Sequence, residues 1–199
     1  LKPRIQAMHV NAEGQAAEDY TFHKRVTDFT PSVAAELTQL PEQGLTTLKV
    51  FPAYNGRLRI ADEEIADVLR IARENGMLVL VHAEDGDEIE VLVGSAIAAG
   101  HGEPIWHART RPSRGEVLAG RRIIALAADV EAPLYVVHVS TAGLAEELQR
   151  ARECGKQVMG ETCPQYLDLT NQAMLDHGPL PKLGPPLRER EDNQAMWRG

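Results

Sequence analysis

Residues 77–82, MLVLVH, are apolar at every position but the last. A strand with one wet face alternates apolar and polar residues. A run without alternation is buried on both faces, as the strands of a parallel sheet are. Parallel strands need crossover connections, and the chain has segments suited to them. Short strand-like segments at 20–27 (YTFHKRVT), 46–51 (TTLKVF), 77–82, 134–139 (LYVVHV) and 157–161 (QVMGE) alternate with helical stretches at 31–43, 61–74, 87–99, 114–130 and 141–154. Thr30-Pro31 starts the first helix as N-cap and N1. Gly44, Asn75-Gly76, Gly100 and Gly155 stand where helices close. Residues 101–113 have no period and form a long loop, a length more often functional than not. A Gly- and Pro-rich segment, HGPLPKLGPPL, precedes a polar helix from about Arg188.

Strand–helix alternation means an α/β protein built from βαβ units. Two architectures compete, the doubly wound open sheet and the eight-fold barrel. No GxGxxG or GxxxxGK[ST] occurs, which lowers the nucleotide-binding open sheets. Five units do not close a barrel of eight. The chain opens on Leu1 and stops at Gly199 after a charged stretch. The expectation is therefore one domain over 1–199 that is part of a longer barrel.

Composition excludes several partners. Hydrophobic residues are 43% and charged residues 25%, globular values that leave no case for disorder. A net charge of −8 repels phosphate backbones, so nucleic acid is not expected. No apolar run reaches the ~18 residues that span a bilayer, so no membrane partner is expected. Cys154 and Cys163 have no CxxC spacing, and a reducing cytoplasm fits them.

Three residues with chemistry sit at the ends of successive strands: Lys49 in TTLKVF, His82 closing MLVLVH, and His138 in LYVVHV. In a barrel the carboxyl ends of the strands carry the active site, so all three would converge on one mouth. Imidazole is a common ligand for zinc-like metals, though a strand-end histidine is also a common hydrogen-bonded structural group. Lys49 lies among Leu48, Val50 and Phe51, so its amine is expected to be partly buried, which requires a lowered pKa or a partner. A neutral amine can form a Schiff base or take up carbon dioxide as a carbamate; an exposed strand-end lysine is the plain alternative. Either Glu84 or Asp85 could orient a ligand, or serve as a solvated loop acid. His23 reads as a buried barrel-interior or near-site group, His107 as a loop-packing residue and Cys163 as structural.

Lys49 with VFPAYNG, His82 in VHAEDGD and His138 in YVVHVS together resemble the dihydropyrimidinase and D-hydantoinase family of the amidohydrolase superfamily. DYTFH, WHARTRP, GETCPQYL and GPPLRERED match it in the same order, so the resemblance runs from about residue 17 to 198. It implies a metal-bearing (β/α)8 barrel of which this chain holds roughly strands three to seven. It implies that Lys49 is carboxylated and bridges two divalent metal ions, zinc as a rule, with His82 and His138 as further ligands. Tyr54 matches a substrate-binding tyrosine. Gly184 stands where the family places a serine whose backbone meets the substrate. An HxH pair would precede Leu1, and the metal-binding aspartate that serves as base would follow Gly199, so no catalytic base is expected within the chain. The implied activity is hydrolysis of a small cyclic amide, a hydantoin or dihydropyrimidine, by a cytoplasmic homo-oligomer, tetramer or dimer. Allantoinase, a non-catalytic scaffold relative and an inactive fragment are the alternatives. The 199-residue chain alone is expected to be inactive.

Overall fold

The computed structural model describes residues 2–198, with side chains described from Ile5. Five strands form one sheet: β1 (Lys24–Arg25), β2 (Thr47–Val50), β3 (Leu78–Val81), β4 (Leu134–Val136) and β5 (Val158–Gly160). They pair in parallel and in sequence order. A doubly wound sheet reverses its strand order at a switch point. This sheet never reverses, so it is wired as the arc of a barrel.

Register sorts the strand residues onto two faces. Leu48 and Val50 pair with Val79 and Val81, which pair with Leu134 and Val136. All six are fully buried, against Ile65, Val68, Leu69 and Ala72 of α3 (Asp62–Glu74), Ala119, Ile123 and Ala127 of α6 (Ser113–Asp129), and Leu144 and Leu148 of α7 (Ala142–Glu153). The opposite face carries Lys49, Leu80, Tyr135 and Met159, one residue per strand in a single row. That row is the lumen side. The α6–α7 crossing is close because both helices offer glycine: a Cβ on Gly120 would lie 2.2 Å from Leu144 Cδ1, and one on Gly143 2.8 Å from Val117 Cγ2.

Helix boundaries follow local chemistry. Glu64 reaches back to accept from the Ala61 N–H at 2.7 Å at the start of α3, and the Asn75 amide donates to the Ile71 carbonyl at 2.8 Å at its end. Thr141 caps α7. Asp85 caps α4 (Gly86–Ala98), accepting from the N–H groups of Asp87 and Glu88 at 3.1 and 3.0 Å.

Several expectations need correction. The strand expected over 20–27 pairs only at Lys24–Arg25. The helix expected over 31–43 ends as α2 at Leu37, then tightens into a 3-10 turn at Pro41–Gln43; Pro41 has no N–H to continue the ladder. The 101–113 loop contains α5 (Trp106–Arg109), and α8 (Pro164–Asp168), α9 (Gln172–Asp176) and α1 (Lys2–Ala12) were not anticipated. The last helix, α10, starts at Arg190 and runs to Met196. In this chain, where β1 has a paired neighbour on one side among the described residues, His23 is exposed, and its Nδ1 lies 2.8 Å from Thr47 Oγ1.

Candidate metal centre

Lys49 lies in the lumen row of β2. His82 follows β3 in the same phase, two residues beyond Leu80, so alternation turns its ring to the same side. His138 is out of phase: continuing from Tyr135, alternation would put Val137 in the lumen. The backbone corrects this. His138 has φ of 43°, a left-handed conformation unusual for a residue with a Cβ, and its ring meets that of His82 with centroids 4.8 Å apart.

Nδ1 of His82 and Nε2 of His138 face each other at 3.1 Å. The other nitrogen of His82, Nε2, lies 2.7 Å from Glu84 Oε2, and both residues are buried. Burial opposes the Glu84 charge, but the hydrogen bond from His82 and the nearby His82, Arg188 and Arg111 hold its carboxyl below the ordinary range. An ionised carboxylate only accepts, so we assign a proton to Nε2 of His82. Glu84 is thus the residue that orients His82, while Asp85 is engaged as the α4 cap. Burial first, then His82 and Lys49, drives the His138 pKa down to about 3, which leaves its imidazole neutral.

Two facing imidazole nitrogens can share one proton or give both lone pairs to one cation. Ligands at ~2.05 Å on a tetrahedral ion lie about 3.3 Å apart, close to the separation here. Nδ1 of His138 and Oε1 of Glu84 are buried without a hydrogen-bond partner. The donor set therefore fits a metal in chemistry and spacing. Among the described residues, no three His, Cys, Asp or Glu side chains cluster to hold one by themselves, so a lysine-derived oxygen or donors from elsewhere would have to complete it.

Lys49 is partly buried, and desolvation lowers its pKa to about 8 although Glu161 opposes the shift. Its Nζ lies 5.5 Å from the centre of the Phe51 ring, which neighbours the rings of Tyr54 and His82 at 6.0 and 5.9 Å. Tyr54, at φ of 66°, brings its ring to 4.9 Å from that of His82. Burial and Glu84 raise its pKa to about 12, against a smaller opposing effect of Arg111, so it is a neutral phenol able to donate. A Cβ on Gly184 would lie 2.8 Å from the Tyr54 hydroxyl. The structure thus gathers His82, His138, Glu84 and Tyr54 at one mouth, with Gly184 at its rim and Lys49 on the same face. His107 packs its loop as expected, donating from Nε2 to the Leu183 carbonyl at 2.7 Å. Cys163 is half-buried ahead of α8.

No protein-family model matches the chain. It is 42% identical over its whole length to a D-hydantoinase of Streptomyces coelicolor, and 41% identical over 99% of its length to one of Geobacillus stearothermophilus; it spans 43% of each relative. Among solved structures, a dihydropyrimidinase from Brevibacillus agri superimposes with a TM-score of 0.95 at 43% identity, over 99% of this chain and 44% of that one.

Proposed function

Since the chain belongs to the dihydropyrimidinase and D-hydantoinase family, we propose that the whole protein is a metal-dependent hydrolase that opens cyclic amides, hydantoins or dihydropyrimidines. The observation that carries this reading is the facing pair of imidazole nitrogens at 3.1 Å, oriented from behind by Glu84. The chain spans less than half the length of the relatives it matches. A histidine pair and the base aspartate are read as lying outside it.

Two divalent ions, zinc in this reading, would be held by Lys49, His82 and His138 together with those further side chains; when bound they supply an activated water and a polarised ring carbonyl. Lys49 contributes its amine. With a pKa of about 8, roughly a tenth of the population is neutral at pH 7. That nitrogen adds to carbon dioxide: an N–C bond forms as one C=O π pair moves onto oxygen, the proton on nitrogen passes to water, and the carbamate is an anionic oxygen donor. Glu84 holds the proton of His82 on Nε2 and so keeps Nδ1 free as a donor of its lone pair. Tyr54, neutral and close over the histidines, donates to the substrate oxygen as charge develops there. Gly184, without a side chain, exposes its backbone groups to the ring imide.

Val91 and Ile97 on α4 are 68% and 69% exposed in the single chain, and a homo-oligomer, dimer or tetramer, would cover them. The described helices include none long and apolar enough to cross a membrane. The two unpaired cysteines accord with a reducing cytoplasm.

The test is ring opening of hydantoin and dihydrouracil by the full-length protein with zinc and bicarbonate. Lys49→Ala should lose metal and activity together, and short carboxylic acids should restore part of both. Full metal content and turnover in Lys49→Ala would refute the carbamate. The 199-residue chain alone should not turn over either substrate; turnover by it would show that the base lies within the chain.

A further inference from the structure

His138 owes its place beside His82 to a left-handed backbone, which is strained for a residue with a Cβ and persists only where its surroundings over-determine it. The residues on either side are fixed strongly. Val137 donates its N–H to the Val81 carbonyl at 3.2 Å and Val139 to the Glu161 carbonyl at 2.7 Å. The Val139 carbonyl accepts from Thr162 Oγ1 at 2.7 Å. Ser140, two residues beyond His138, is held by side chains: its N–H donates to Glu116 Oε1 at 2.8 Å, and its hydroxyl donates to Glu116 Oε2.

Glu116 is itself held. Arg188 donates from Nη2 to Glu116 Oε2 at 2.7 Å, from Nε to Ser140 Oγ at 2.9 Å, and from Nη1 to the Arg111 carbonyl. All three side chains are buried, Arg188 at 5%, Glu116 at 2% and Ser140 at 1% exposure. A buried ion pair is retained at a desolvation cost, so its value lies in what it fixes. This one joins three otherwise separate segments. Glu116 sits in the first turn of α6, Ser140 on the strap leaving β4, and Arg188 four residues after Gly184.

We infer that Arg188 is a positioning residue: through Glu116 and Ser140 it clamps the strap that holds His138 in its left-handed conformation, and so sets the direction of the His138 imidazole. Only the zinc arm of the test below rests on the metal reading of the site. Arg188 touches neither histidine ring. Its guanidinium fork satisfies three acceptors at once, which an ammonium in the same place does not reproduce.

The test uses the full-length protein with Arg188→Met, Arg188→Lys and Ser140→Ala, each checked by thermal unfolding. In metal-free, histidine-labelled protein, the His138 imidazole resonances should shift in Arg188→Met while those of the exposed His23 stay in place. Zinc affinity, measured by chelator competition, should fall about tenfold or more, the loss typical of removing support from a metal ligand. Arg188→Lys should lie between. If Arg188→Met does not fold, Ser140→Ala, which removes one hydroxyl, carries the same two readouts. Unchanged His138 resonances in whichever variant folds overturn the inference. If the unsubstituted protein retains no zinc, the metal reading fails, and the resonance comparison still decides the clamp.

Discussion

Glu84→Gln is the most incisive single change at this site. The substitution keeps size and one acceptor oxygen but removes the charge. Glu84 is 2% exposed and its Oε2 lies 2.7 Å from His82 Nε2. An amide oxygen turned to that nitrogen can still hold the ring. The amide nitrogen would then occupy the place of Oε1, which is buried and has no hydrogen-bond partner. A buried N–H₂ without an acceptor costs about 1–3 kcal/mol. The reverse orientation points a donor at a donor and leaves His82 free to turn. Either way the preference of His82 for presenting Nδ1 to His138 weakens. Loss of such a carboxylate typically costs 10–100-fold in metal affinity, or about 1.4–2.7 kcal/mol. Chelator competition with zinc on the full-length protein measures it, and thermal unfolding of the metal-free protein shows whether the variant stays folded. A folded Glu84→Gln protein with unchanged zinc affinity would refute the assignment of Glu84 as the orienting residue.

Three further outcomes follow from other contacts. Gly184→Ala places a Cβ 2.8 Å from the Tyr54 hydroxyl, so the ring must move; kcat of the full-length protein on hydantoin should fall by about 10²–10³ with the metal content unchanged, as loss of one oxyanion donor would require. Gly120→Val drives into Leu144 and should lower the urea midpoint by an amount equivalent to about 1–3 kcal/mol, partly relieved by adding Leu144→Ala. Asp87 is paired with Arg59 at the surface, and that hydrogen bond holds its carboxyl below the ordinary range against a small burial effect. A depressed carboxylate stabilises above its unfolded pKa and loses that contribution as pH falls through the folded one. Asp87→Asn should therefore cost under about 1 kcal/mol at neutral pH, less in high salt, and nothing in strong acid.

The parallel α/β class was legible because MLVLVH admits no wet face, and Lys49 and His82 were legible by their place at strand ends, where the structure gives them the same phase on adjacent strands. His138 was found by its place at a strand end, but alternation alone would have sent it to the helix side. No local pattern announces a left-handed histidine, since the cost is met by Glu116 and Arg188, 22 residues before it and 50 after. Glu84 and Asp85 could not be separated in sequence; the start of α4 decides between them, taking Asp85 as its cap. Helices α8 and α9, five residues each, are too short to show a 3.6-residue period. Helix α1 has almost no apolar stripe to reveal it.

The order β1-β2-β3-β4-β5 has a consequence for how such a chain reaches its native state. Every strand finds its partner in the unit made just before it, and α3, α6 and α7 pack consecutively over the same strands. No later strand has to thread between two that have already paired. Each new strand lands on an edge that is waiting for it, and although paired residues such as Val79 and Leu134 are far apart in sequence, growth can run with synthesis from the amino end. The candidate site is bound to that schedule. Lys49, His82 and His138 arrive on successive strands, in that order, and the clamp that fixes His138 closes only when Arg188 has been made.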